Sequence, residues 1–171
     1  MDVFLEQLVV KKKTGMDILK IVGLILATII VVFLAFFVLP RISRIFSTFG
    51  VFIVVGALYG AWYLITGLNV EYEYILTNGE IDVDKIIAQR KRKRLITVNT
   101  RNFSEFGLYR PEEHTGKSYD ATIFACSSLQ DPNLYYAVTE HPKYGNCMLV
   151  FNPDERIVEN AKQFMKRNVV K

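Results

Sequence analysis

Two long apolar runs, separated by a short basic turn, constrain this chain more than any other feature. Ile21 through Leu39 is nineteen residues without an Asp, Glu, Lys, Arg or His, and Ile45 through Leu68 is a second such run. At a rise of about 1.5 Å per residue the first covers about 28 Å as a helix, close to the hydrocarbon thickness of a bilayer. Lipid offers no water to an open backbone, so each run must satisfy its hydrogen bonds internally as a helix. Pro40 ends the first run, and Arg41, Ser43 and Arg44 suit an interfacial turn. Residues 16–68 therefore read as a membrane α-hairpin, with helices at about 18–39 and 45–68. A cleaved signal peptide does not fit, because the core is too long, no small-x-small site follows, and a second span comes at once. A buried helical hairpin of a soluble protein is the remaining alternative.

Small residues recur at helical spacing in both runs. Gly23 and Ala27 are four apart, as are Gly56 and Gly60. Folding the chain about residue 42 sets Gly23 opposite Ala61 and Ala27 opposite Ala57. Small side chains let lipid-embedded helices approach closely, so these four are the expected helix-packing residues. The Gly56-x-x-x-Gly60 spacing also suits a homo-oligomer as an alternative use. Lys11, Lys12, Lys13 and Lys20 precede the hairpin, and Lys85 and Arg90 to Arg94 follow it. Only Arg41 and Arg44 stand in the turn. The positive-inside rule then places both the N- and C-termini in the cytoplasm, in a multi-pass protein of the cell membrane. Tyr59, Trp62 and Tyr63 suit an aromatic belt at the same face. Neither run has an ionisable residue at mid-depth, where a transporter or channel needs one. Residues 1–15 form an N-terminal cytoplasmic segment. Val3, Phe4, Leu5, Leu8 and Val9 there suit a short interfacial helix ahead of three lysines, or else a frayed terminus.

Beyond the second run the pattern becomes alternating. Val70, Tyr72, Tyr74 and Leu76 alternate with Glu71, Glu73 and Thr77, the period of a half-buried strand. Asn78-Gly79 is a strong two-residue turn signal, since a type I′ turn needs positive φ at both positions. A β-hairpin is predicted over 70–88, with further strands at Leu95–Val98, Ala121–Ala125, Leu134–Thr139 and Cys147–Phe151 and a short strand or turn around Phe103–Tyr109. Asn152 as N-cap, Pro153 at the first position, and Asp154 and Glu155 near the positive end predict a C-terminal helix over 153–168. Ile157, Ala161, Phe164 and Met165 give it an apolar face.

Strands followed by one amphipathic helix is the order of a pleckstrin-homology-like (PH-like) domain. The expected fold class is a membrane α-hairpin plus a mostly-β (α+β) domain over residues 69–171. That domain is either a PH-like antiparallel barrel or an open sheet, closed by the C-terminal amphipathic helix. Two apolar helices followed at once by Tyr74-Ile75-Leu76-Thr77-Asn78-Gly79, then alternating strands and basic residues, resemble the bacterial membrane-anchored PH-domain proteins. These include the short two-span proteins labelled YdbS-like. The chain is also similar to uncharacterised two-span membrane proteins of anaerobic Gram-positive bacteria. The resemblance covers residues 16–168. It implies a binding or scaffolding module, not an enzyme, and supplies no catalytic residues.

Arg90, Lys91, Arg92, Lys93 and Arg94 are the sharpest chemical feature of the domain. Near a membrane such a run draws about 1 kcal/mol per basic residue from anionic lipids, so it is a candidate membrane-surface or ligand contact. Ranked ahead of that contact is its reading as a topology determinant, or as a solvated edge that blocks strand association. Residues 69–171 carry fifteen Lys/Arg against fourteen Asp/Glu, too balanced for a nucleic-acid binder. His114, Cys126, His141 and Cys147 are zinc-ligand types, but their spacing matches no familiar site and both cysteines sit in apolar strands. No Gly-x-Ser-x-Gly, HExxH or phosphate-cradling glycine loop is present. No catalytic residue, metal or cofactor is expected. The 99–120 stretch, with Arg101, Arg110, Glu112, Glu113 and His114, is the candidate partner-binding loop, or equally a plain connector. The chain thus reads as a membrane-anchored binding or scaffold module, with a protein partner ranked ahead of an anionic lipid head group. The alternatives are a small accessory subunit of a membrane complex, acting through its transmembrane helices, and, ranked last, an enzyme.

Overall fold

The computed structural model describes residues 3–42 and 44–170. The chain divides into two compact units. One is Lys13–Asn69; the other joins the N-terminal segment through Lys12 to Val70–Lys171.

In the helical unit, α1 (Gly15–Phe33) opens on a reciprocal cap. The Asp17 N–H donates to the Thr14 hydroxyl at 3.3 Å, and the Thr14 N–H donates to the Asp17 carboxylate at 3.0 Å. A π-helical segment, Leu34–Val38, leads into α2 (Leu39–Ile42), and α3 (Arg44–Gly67) returns. Pro40 does not stop the first helix as the sequence suggested. Proline lacks an N–H and crowds the carbonyl four residues back. The wider turn just before it, where the Leu39 N–H reaches Leu34 O, takes that backbone out of the α ladder. Ser43 and the Arg44 side chain, expected in the interfacial turn, lie outside the described residues. Gly15–Ile42 and Phe49–Gly67, with 18-residue stretches of mean hydropathy 3.2 and 1.8, are long and apolar enough to cross a membrane.

α1 and α3 pack together, and the π-helical segment approaches α3 more closely than the expected small residues do. A Cβ on Gly50 would come within 3.1 Å of the Ala35 carbonyl oxygen, and Ala35 is buried. A Cβ on Gly23, Gly56 or Gly60 would meet nothing within 4 Å, and Ala27 is exposed. Folding about residue 42 assumed two regular helices. A π turn adds one residue and rotates the remainder of the helix by about 100°, which changes the facing residues.

In the second unit, β1 (Phe4–Val10), β2 (Val70–Thr77), β3 (Glu80–Ile87) and β4 (Lys91–Asn99) form an antiparallel first sheet in that order. The N-terminal segment is therefore a strand and not an interfacial helix. Pairing from Phe4↔Thr77 to Val10↔Glu71 satisfies its backbone and packs Leu5 and Val9 on the core. A helix of seven residues gains neither, because nucleation costs more than so few bonds return. The domain thus begins before the helices, which are an insertion between its first two strands.

The second sheet has the order β5-β7-β8-β6, from β5 (Phe103–Leu108), β6 (Ala121–Ala125), β7 (Tyr135–His141) and β8 (Gly145–Phe151). β6 runs parallel to β8, so the sheet is mixed rather than antiparallel throughout. The chain leaving β6 first forms the β7–β8 hairpin, and β8 is the strand that comes to lie beside β6. Two separate sheets, not a closed barrel, enclose the core.

Tyr74, Leu76, Ile81, Val83, Phe106, Leu149 and Phe151 fill that core from both sheets, with Ile157 from α4 (Glu155–Phe164). Each such side chain contributes about 1.5–3 kcal/mol by leaving water. The Tyr74 hydroxyl joins the sheets, donating to the Ala125 carbonyl and accepting from the Asn152 N–H at 3.2 Å. The turn at Asn78-Gly79 has φ of 49° and 90°, and a Cβ on Gly79 would lie 2.8 Å from the Phe164 ring. Glycine is needed there twice over, for backbone sign and for space. The helix cap moves from Asn152 to Asp154, whose carboxylate accepts the Ile157 N–H at 2.8 Å. Asn152 is occupied elsewhere, accepting the Ser127 N–H at 2.8 Å. The helix stops at Phe164, short of 168, because Met165 turns extended and Val169 is buried beside β5, accepting the Phe106 N–H at 3.0 Å.

Candidate binding surface

Alternation along three strands builds the outer face of the first sheet. Tyr72, Tyr74, Ile81 and Val83 turn inward, so Glu71, Glu73, Asp82, Asp84 and Ile86 turn outward. Register sets Glu73 beside Asp84 and Asp84 beside Arg94, while Ile86 is beside Arg92. The Arg92 guanidinium pairs with Glu73 and lies 3.9 Å from Asp84. Arg94 pairs with Asp84 and, at 2.7 Å, with Asp82. The Glu73 and Asp84 side chains are only 3% and 4% exposed, under arginines about half exposed. Burial pushes the Glu73 carboxyl up; Arg92 pulls it back in part, and the neighbouring Glu6 and Asp84 add to the rise. The hydrogen bond to Asp84 raises the Arg94 guanidinium further.

The basic run is thereby divided. It is mostly strand: Arg90 closes the turn, its N–H reaching Ile87 O at 3.0 Å, and Lys91 to Arg94 begin β4. Arg92 and Arg94 serve the acidic face. Lys93 alternates with them and stands opposite Lys85. The turn has no glycine or asparagine, and Ala88 and Gln89 hold φ of 53° and 55°. A shallow groove of 330 Å³ lies at this end of the sheet, lined by Leu8, Glu71, Glu73, Ile86, Gln89 and Arg90 to Arg92.

β1 forms the other border of this face. Bonds at Val3–Asn78 and Lys11–Val70 fix the odd-numbered residues as those bonded to β2. The N–H and C=O groups of Phe4, Glu6, Leu8 and Val10 then point away from the sheet, with no partner among the described residues. Phe4, Leu8 and Val10 are 65%, 55% and 63% exposed. Sequence reasoning missed this strand because both its faces carry apolar residues, with Gln7 inside and Glu6 outside. The seven-residue length and the Val9-Val10 pair were the available signals.

The other candidates are spread through the fold. The 99–120 stretch is tied down: Arg101 lies over the Phe164 ring, Arg110 pairs with Glu113 at 3.3 Å, and Lys117 pairs with Glu105 at 3.1 Å. His114 is buried, stacked on Tyr109, 4.3 Å from the Tyr136 ring centroid and 3.0 Å from the Tyr119 hydroxyl. Burial, then Glu105, pushes the Tyr136 hydroxyl up to about 12. Cys147 belongs to the main core and Cys126 to the cluster beneath His114, and burial pushes both thiols up. His141 sits against Tyr144 at the end of β7. Among the described residues no three His, Cys, Asp or Glu side chains converge as metal ligands.

No curated protein and no solved structure matches the chain. One family model, described as a bacterial PH-like domain (DUF6106), matches residues 1–171. That match takes in β1, both apolar helices and the two sheets alike, and the chain belongs to this family of bacterial PH-like domains.

Proposed function

We propose that this protein is a membrane-anchored, non-catalytic module that presents the outer face of its first sheet to a protein partner. The observation that carries this reading is the contrast in cover. The second sheet's outer face is roofed by residues 109–119, whereas the first ends on the exposed Phe4, Leu8 and Val10 beside a groove. Large exposed apolar side chains beside ordered charge fit an interaction site. The two apolar helices supply the anchor. β1–β2 pairing supports a common side for both flanks of the helical pair, and the basic flanks make that side the cytoplasm.

A second reading rests on Lys85, Lys91 and Lys93. They lie at the end of the sheet that holds Val10 and Val70, and they fit contact with anionic head groups. Affinity purification from gently solubilised native membranes, with a C-terminal tag and mass spectrometry of proteins and lipids, separates the readings. A stoichiometric protein lost on Leu8→Arg is the expected result. Recovery of anionic lipid alone, lost on replacing the three lysines, replaces the first reading with the second. A partner retained by Leu8→Arg but lost on Gly56→Leu places the interface on the helices, where Gly23, Gly56 and Gly60 face open space.

A further inference from the structure

Each sheet in this domain has two edges, and three of the four are guarded. β4 begins with four basic residues and carries a register shift opposite Val83 and Asp84, both devices that deter strand addition. β5 is covered at Phe106 by Val169 and Val170. β6 has only five residues. β1 has seven residues in unbroken register, no proline and no bulge, and four consecutive outward-facing N–H and C=O pairs.

Resting on the reading of this face as a docking surface, we propose that β1 accepts an extended segment of a partner protein as a fifth strand of the first sheet. Among protein partners, a row of main-chain groups spaced as in a strand is matched by another strand, which makes the mode β-augmentation. The side chains define the segment's chemistry. Phe4, Leu8 and Val10 call for apolar residues at alternate positions. Glu6, the one charged residue among them, calls for a lysine or arginine opposite it. Lys12 and Lys13, just beyond the strand, favour an acidic residue at that end. A second copy of β1 fits less well. In antiparallel registers centred on Glu6, Gln7 or Leu8, Glu6 meets Glu6, Leu8 or Val10, and never a cation.

The test uses the purified full chain in lipid nanodiscs and two synthetic nine-residue peptides of alternating valine and threonine. One carries a central arginine and a terminal aspartate; the other carries a central glutamate. Binding is read by fluorescence anisotropy, and main-chain protection by residue-resolved amide exchange. The arginine peptide should bind and slow exchange at Glu6, Leu8 and Val10 but not at Leu5 or Val9, already bonded to β2. Leu8→Pro removes an outward N–H and leaves the β2 ladder intact, so the protein stays folded and binding falls about tenfold or more. Glu6→Lys should transfer preference to the glutamate peptide, a gain that misfolding cannot produce. Absence of binding by both peptides up to about 1 mM overturns the proposal. So does binding that Leu8→Pro leaves unchanged, or a β1–β1 dimer that excludes the peptides. If a native protein partner co-purifies equally with wild type and Leu8→Pro, strand addition falls while the docking reading stands. If wild type retains no protein, that reading falls as well.

Discussion

On the outer face of the first sheet, Glu73 and Asp84 lie under the guanidinium groups of Arg92 and Arg94. On that of the second, Tyr136, Val138, Met148 and Val150 lie under a strap bearing Tyr109, His114 and Tyr119. One face is closed by paired charge that stays half in water, the other by apolar cover. The two devices have different consequences. Removing apolar cover exposes a second small core at full hydrophobic cost, whereas removing one ion pair frees groups that water can take back. A surface held by ion pairs is also available to a partner, and a roofed one is not.

The largest expected effect lies on the roofed side. Tyr136→Ala should destabilise the domain by about 3–5 kcal/mol, read by pulse proteolysis of the full chain in detergent, because the strap loses the ring beneath His114. Asp84→Ala, on the ion-paired side, should cost about 1–2 kcal/mol in the same assay, since Arg94 and Arg92 can rehydrate. Equal losses would break the comparison.

Acid titration sharpens it through sign. Burial raises the Glu73 carboxyl in the folded protein, so the native state holds that proton more tightly than the unfolded chain. Its contribution to stability therefore grows as pH falls from above that raised value toward the ordinary 4.5, and Glu73→Gln should flatten the change. Asp131, in the loop after β6, behaves oppositely. The Asn133 N–H and then the Ser127 hydroxyl hold it low, so its contribution is present above the ordinary 3.8 and is lost as pH falls through the depressed value. Asp131→Asn should remove that acid loss. Unfolding midpoints of wild type and both variants across this range would show slopes of opposite sign.

The smallest effect belongs to the β3–β4 turn. Ala88→Gly relieves a left-handed φ but loosens the unfolded chain, for a net gain of about 0.5 kcal/mol. Slower amide exchange at Arg90 would register it.

Local chemistry determined much of this protein. The apolar runs, the β2–β3 alternation and its Asn-Gly turn, the later strands and the amphipathic face of α4 all arise from side-chain period and turn residues within a few positions. Tertiary structure alone decided the rest. β1 pairs with residues more than sixty positions away, across two helices, and its own pattern marks no single buried face. The basic run is one block in sequence but two faces in a strand, and the acids beneath Arg92 and Arg94 come from β2 and β3. The 109–119 segment is rich in polar and turn residues and reads as an open loop. Only the apolar outer face of β7 and β8 makes it a roof. Sequence spacing fixes which side of an element a residue occupies; what lies opposite depends on non-local register, and the open edge of β1 is a consequence of that register.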